Sequence, residues 1–143
     1  MKKIKQIFSV AIIALALTSC GHGFDFERAE KHIEKIEEED ELSNSDYLEM
    51  IDLCEICFTH TIDEFEPALE IKDKYDCRDA IKELGNDDEL QFMLAYSIQM
   101  YNTLERAAEN DELKSEAKKR FRELKKQQEK IIKLAEKIEK KMS

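Results

Sequence analysis

The sequence predicts an all-α protein: an antiparallel helical bundle of about four main helices plus a short one, with a long C-terminal helix. Three observations carry this. The 143 residues include only three glycines and one proline, so little interrupts regular backbone. Glu, Lys, Leu and Ile dominate, as they do in long helices. Apolar residues recur at steps of three and four through most of the chain, which is the spacing of one helix face. A chain with 39% charged residues could instead stay disordered, but that regular spacing argues for a packed body.

The first segment stands apart from the bundle. Lys2, Lys3 and Lys5 precede an apolar run from Ile7 to Leu17, broken only by Ser9. A basic start, a short apolar stretch and small residues at its end mark a secretory signal. The run is too short to span a bilayer as a helix, which takes about 20 residues. It closes with Leu17-Thr18-Ser19-Cys20. Leucine, two small residues and cysteine resemble the lipobox of bacterial lipoprotein precursors, and the resemblance covers residues 1–20 only. It implies a cleaved signal peptide over 1–19 and covalent lipid, palmitate included, on Cys20 as the only added group. It also implies a mature protein anchored in the cell envelope, periplasmic or surface-facing. Gly21 is not the aspartate that retains some lipoproteins in the inner membrane, so the outer membrane is favoured. Residues 20–24 then form a tether, and 25–143 a single domain of ordinary size.

The first helix carries Phe26, Ala29, Ile33 and Ile36 on one face and ends near the acidic run Glu37 to Glu41, where fraying is expected. His22 and His32 read as single, exposed histidines near the anchor. Ser43 with Asp46, or Ser45 alone, supplies cap chemistry for a second helix bearing Leu48, Ile51, Cys54, Phe58, Ile62 and Phe65. Pro67 kinks it or opens the short helix, which offers Tyr75, Cys77, Ile81 and Leu84 and closes at Gly85. Asn86 caps the next long helix, with Leu90, Met93, Leu94, Ser97, Tyr101, Leu104 and Ala108 on its face. Its periodicity slips by half a turn at Glu109-Asn110-Asp111, which reads as a turn; one continuous helix is the alternative. In the last helix Ala117, Phe121, Leu124, Gln128, Ile131, Ala135, Ile138 and Met142 keep a heptad seam of the coiled-coil kind. Its C-terminal third either overhangs the bundle or packs along the first helix.

Charge is unevenly spread. The net charge of −10 becomes −13 when the three lysines of residues 1–19 are removed. Residues 20–110 hold 8 basic and 26 acidic side chains, whereas 111–143 hold 12 and 7. An acidic body can neutralise one basic helix internally, or that helix can meet an anionic partner. The overall balance and the exported location argue against nucleic acid as a partner.

Cys54, Cys57 and Cys77, with His60 nearby, are the residues most open to site chemistry. Export permits a disulfide. If the chain reverses at Pro67, Cys57 faces Cys77; a later turn favours Cys54 with Cys77, or no bridge. A zinc site from Cys54, Cys57, His60 and Cys77 has suitable ligand types, but His60 lies two turns from Cys54. A redox pair at Cys54 and Cys57 lacks the helix N-terminus that lowers a thiol pKa. Failing these, the thiols are small buried apolar groups. No EF-hand spacing, phosphate-binding glycine loop or Ser/His/Asp arrangement occurs, and no catalytic residue is assigned. The tyrosines read as bundle residues with wet hydroxyls. The expectation is a non-enzymatic interaction or scaffold module meeting a protein partner or a second copy of itself. A metal-binding or thiol-redox lipoprotein is the alternative.

Overall fold

A computed structural model describes residues 23–143, so the signal segment, Cys20 and His22 lie outside the described residues. The elements are α1 (Phe26–Glu37), α2 (Asn44–Phe65), a 3-10 stretch (Glu66–Glu70), α3 (Lys74–Gly85), α4 (Asp88–Glu109) and α5 (Ser115–Met142). The described residues contain no strand, and the expected all-α bundle with a long last helix is what the chain forms.

Local chemistry sets the helix ends. The Ser43 hydroxyl accepts from Asp46 N at 3.1 Å while Ser43 N donates to the Asp46 carboxylate at 2.8 Å, a complete capping box for α2. Asp87, not Asn86, caps α4 by accepting from Leu90 N. Asn86 instead follows α3 as its C-cap, so Gly85 is helical and does not make the turn. The acidic end of α1 is closed rather than frayed. Asp40 N donates to Lys35 O and Glu39 N to Ile36 O, with Glu39 left-handed at φ 56°. This is a Schellman closure without glycine. The same device ends α4: Glu112 N donates to Ala107 O, Asp111 N to Ala108 O, and Asp111 has φ 57°. The half-turn slip at 109–111 is therefore a true turn between two helices.

Helix α2 is the element that α1, α4 and α5 all pack against. Direction follows from paired residues. His32 meets Glu49 and Lys35 meets Asp46, so α1 is antiparallel to α2. Cys54 meets Ser97 and Cys57 meets Met93, so α4 is antiparallel to it as well. Tyr47 pairs with Glu112, Arg120 with Glu55 and Gln127 with Thr59, so α5 lies parallel to α2. The residues of α2 that meet α1 (Asp46, Glu49) and α5 (Glu55, Thr59) lie on opposite flanks of the helix.

The core is built from Met50, Ile51, Cys54, Met93, Met100, Leu104 and Leu124 with the rings of Phe26, Phe92, Tyr96, Tyr101 and Phe121. Because α2 has helices on three sides, its buried arc is wider than the single expected face and includes Tyr47, Leu53, Cys57 and Thr61. Leu48, Ile62 and Phe65 are only half-buried. In α5, Ala117, Phe121 and Leu124 of the seam join this core, so the seam's first half is filled within the chain. The C-terminal third neither overhangs nor meets α1. It rests on the 3-10 stretch and α3, with Ile138 buried and Arg78 Nε donating to Met142 O at 2.8 Å.

Candidate functional site

The densest polar arrangement lies where α1 enters the groove between α2 and α4. Asp25 caps α1 by accepting from Arg28 N at 3.1 Å. Phe26, Ala29 and His32 then follow at steps of three and are the buried residues of the helix. Phe26 stands against Phe92 with ring centroids 5.6 Å apart, and Phe24 meets Tyr96 edge-on at 5.5 Å. These rings roll α1 so that His32, at 2% exposure, points inward, while Ile33 and Ile36 stay half-buried. The expected exposed histidine is thus one of the most enclosed residues. The aromatic contacts with α4, which decide the roll, come from residues far away in sequence.

His32 bridges three helices. Its Nε2 lies 3.0 Å from the Glu49 carboxylate and its Nδ1 2.7 Å from the Tyr96 hydroxyl. A carboxylate only accepts, so Nε2–H donates to Glu49, and neutral Nδ1 accepts the Tyr96 O–H. Around this chain, Lys35 Nζ donates to both Asp46 oxygens at 2.9 and 3.1 Å, and the Arg28 guanidinium stands 3.5 Å from Glu49. Burial is the main influence on His32 and lowers its pKa, against the opposing pull of Glu49. Burial also raises the pKa of Tyr96, keeping its proton on oxygen. Asp46 is pushed upward by burial, yet Ser43 and Lys35 outweigh that and leave its carboxyl below the usual range.

His32, Asp46 and Glu49 are the residues that bring metal-type ligand atoms together among the described residues, within 4.8 Å of one another. Their charge is already answered. Lys35 covers both oxygens of Asp46, and the imidazole proton covers Glu49. No surface groove described below is lined by His32 or Tyr96. The arrangement holds a proton between tyrosine, imidazole and carboxylate and ties α1 to its neighbours. Sequence spacing offered one clue: 26, 29 and 32 continue the apolar face as regularly as 26, 29 and 33.

Cys54, Cys57 and Cys77 are free and point to different neighbours. Cys57 Sγ donates to Met93 O at 3.2 Å, Cys54 Sγ lies 3.9 Å from Ser97 O, and Cys77 Sγ donates to Ala68 O at 3.5 Å. Neither the Cys57–Cys77 nor the Cys54–Cys77 bridge forms. The chain does not reverse at Pro67; it continues through the 3-10 stretch and bends before Asp73, which caps α3. The pairing expected from a reversal at Pro67 therefore fails. Cys54, Cys57, His60 and Cys77 are likewise not assembled as a metal set among the described residues, and half-buried His60 instead faces Glu64 at 3.9 Å. Burial raises the thiol pKa of Cys54 and Cys57, opposite to what a redox or metal-binding thiolate needs.

Surface grooves lie elsewhere on the described residues. One of about 440 Å³ has an apolar floor of Pro67, Ala68, Ile71 and Leu84 with acidic Glu64, Glu83 and Asp87 at its rim. A second, about 260 Å³, combines Ile62, Leu69 and Leu134 with Lys130, Lys133, Lys137 and the acid Glu66. The third, about 500 Å³, is polar and lies at Asp40, Glu41, Tyr47 and Glu112. Burial and Glu112 together push the Tyr47 pKa up to about 12. No helix among the described residues is long and apolar enough to cross a membrane. No family model matches the chain, and no match appears among curated proteins or solved structures.

Proposed function

We propose that the protein is a bacterial lipoprotein: lipid on Cys20 holds a non-enzymatic helical bundle in the cell envelope, where it serves as an interaction or scaffold module. The observation that carries this reading is Leu17-Thr18-Ser19-Cys20 behind a lysine-rich start and a short apolar run. Two or more acyl chains, at about 0.8 kcal/mol per buried CH₂, hold a protein stably at a bilayer. The favoured address is the outer membrane, and the favoured partner a protein or a second copy. The buried polar groups agree with a scaffold's needs, since His32, Glu49 and Tyr96 are engaged with one another in joining helices.

Intact-mass measurement of the protein purified from its native membranes tests the anchor. The expected product begins at Cys20 and carries the mass of its acyl chains. An unmodified Cys20 overturns the reading. Cross-linking in intact cells, followed by identification of what stays attached, then names the partner.

A further inference from the structure

The excess basic charge of α5 is arranged as a single row. Lys119, Arg122, Lys126, Lys130, Lys133, Lys137 and Lys140 follow at steps of three and four. At about 100° per residue they fall within one stripe some 80° wide and roughly 32 Å long. All seven are exposed. Only Lys126 has an ion-pair partner within 4 Å among the described residues, Glu123 at 3.7 Å. Arg120 is different: it is turned inward and is spent on Asp52 and Glu55. The stripe stands opposite the seam of Ala117, Phe121 and Leu124, so it faces away from the core, and its second half borders a groove shared with Ile62 of α2 and with Glu66 and Leu69 of the 3-10 stretch. Since α1 and α5 occupy opposite flanks of α2, it also lies on the side away from the start of α1.

We propose that this stripe docks a linear, phosphate-bearing polyanion on the side of the molecule remote from the anchoring bilayer. The direction rests on the lipid anchor proposed above; the binding does not. Lysine, which dominates the stripe, is depleted in protein interfaces, where aromatic residues and arginine are enriched. Six of its seven residues are lysines, hydrated point charges that suit a row of anions better than registered pairing. A polymer one charge-row wide also matches a single row of cations better than a flat anionic surface does, and at the groove it passes Glu66. The groove floored by Ile62, Leu69 and Leu134 beside Lys130, Lys133 and Lys137 gives it a shallow bed.

The test uses the full lipidated protein in non-ionic detergent, with inorganic polyphosphate of defined lengths as the probe and lysine acetylation read by mass spectrometry. Long chains are expected to bind and to slow acetylation of Lys126, Lys130, Lys133 and Lys137 several-fold, leaving Lys31 and Lys82 unchanged. Binding should fall steeply with salt as counterions are released. It should also weaken at least tenfold in the triple variant K130Q/K133Q/K137Q, and by under twofold in K31Q/K82Q. Triphosphate, too short to follow the stripe, should protect none of them. Equal weakening in both variants, or equal binding of triphosphate, overturns the proposal. So does protection that requires phosphatidylglycerol vesicles, or that rises with protein concentration alone. A bare Cys20 in the same preparation would remove the anchor while leaving this measurement intact.

Discussion

His32 accepts the Tyr96 hydroxyl at 2.7 Å across 64 residues of sequence, and this contact fixes the first helix to the fourth. Both side chains are almost fully enclosed, so each is the other's replacement for water at that atom. Tyr96→Phe removes the donor and leaves Nδ1 unmet, which should cost about 1–2 kcal/mol. His32→Ala removes a buried ring and strands both Glu49 and Tyr96, at about 2–4 kcal/mol. Measured by urea unfolding, the double variant should be less destabilised than the two singles added together. Strict additivity would mean that the two groups do not interact.

The same histidine makes stability depend on pH. Its folded pKa lies below the ordinary 6.5, so the unfolded chain binds the proton more readily. Stability therefore rises with pH between the folded and unfolded values; it is fully present above 6.5 and lost as pH falls below that. Asp46 is also lowered, from 3.8, and its contribution disappears only as pH falls below that value toward its folded one. The groups facing His32 are Glu49, Asp46, Lys35 and Tyr96. Urea midpoints should drop between about pH 7.5 and 5 in the wild type and flatten there in His32→Gln. The fall below about pH 4 should persist in both proteins. An equal drop for both across the upper window would assign it elsewhere.

Much of this architecture can be read from local chemistry. Ser43 with Asp46, the phase slip at 109–111 and the first half of the α5 seam each depend on residues within one or two turns, and each appears where spacing places it. What could not be read depends on distant partners. His32 turns inward because Phe92 and Tyr96 receive Phe26 and Phe24, and no local pattern contains that information. The buried arc of α2 was underestimated because a helix packed on three sides has no single apolar face. A reversal at Pro67 would set Cys57 opposite Cys77, whereas Pro67 merely starts a 3-10 stretch.

The cysteines should be silent in the native state. Cys54, Cys57 and Cys77 are all fully buried, and burial raises the pKa of the first two. With Cys20 acylated, a thiol-specific reagent at mildly alkaline pH should label none rapidly and all three after denaturation. Rapid labelling of one residue under native conditions would expose a reactive thiol. Fewer than three after non-reducing denaturation would reveal a bridge.

Two helix ends carry a removable cost. Glu39 and Asp111 are left-handed, a conformation that strains side-chain-bearing residues and suits glycine. Glu39→Gly should stabilise the protein by up to about 1 kcal/mol. Asp111→Gly should gain less, because it also loses a 3.4 Å ion pair with Lys118, exposed and therefore weak. Thermal melts of both variants check the sign. Destabilisation by Glu39→Gly would show that the carboxylate matters more than the backbone.

The body should open in two stages. Ala68, Cys77, Leu90 and Ile138 are buried yet lie outside the main core, together with the elements around the 3-10 stretch. This end has few large apolar residues: α3 buries only Cys77, and Tyr75 is 60% exposed. Leu124, by contrast, sits in the main core beside the contacts of α2 and α4. Regions with few buried apolar contacts open at lower free energy than the global transition. Hydrogen exchange should therefore be faster in α3 and in residues 131–142 than in α2 and α4. Ile138→Ala should accelerate only the first group, while Leu124→Ala, costing about 2–5 kcal/mol, should accelerate all of them. Uniform acceleration by Ile138→Ala would make the whole body one cooperative unit and the division of its core immaterial.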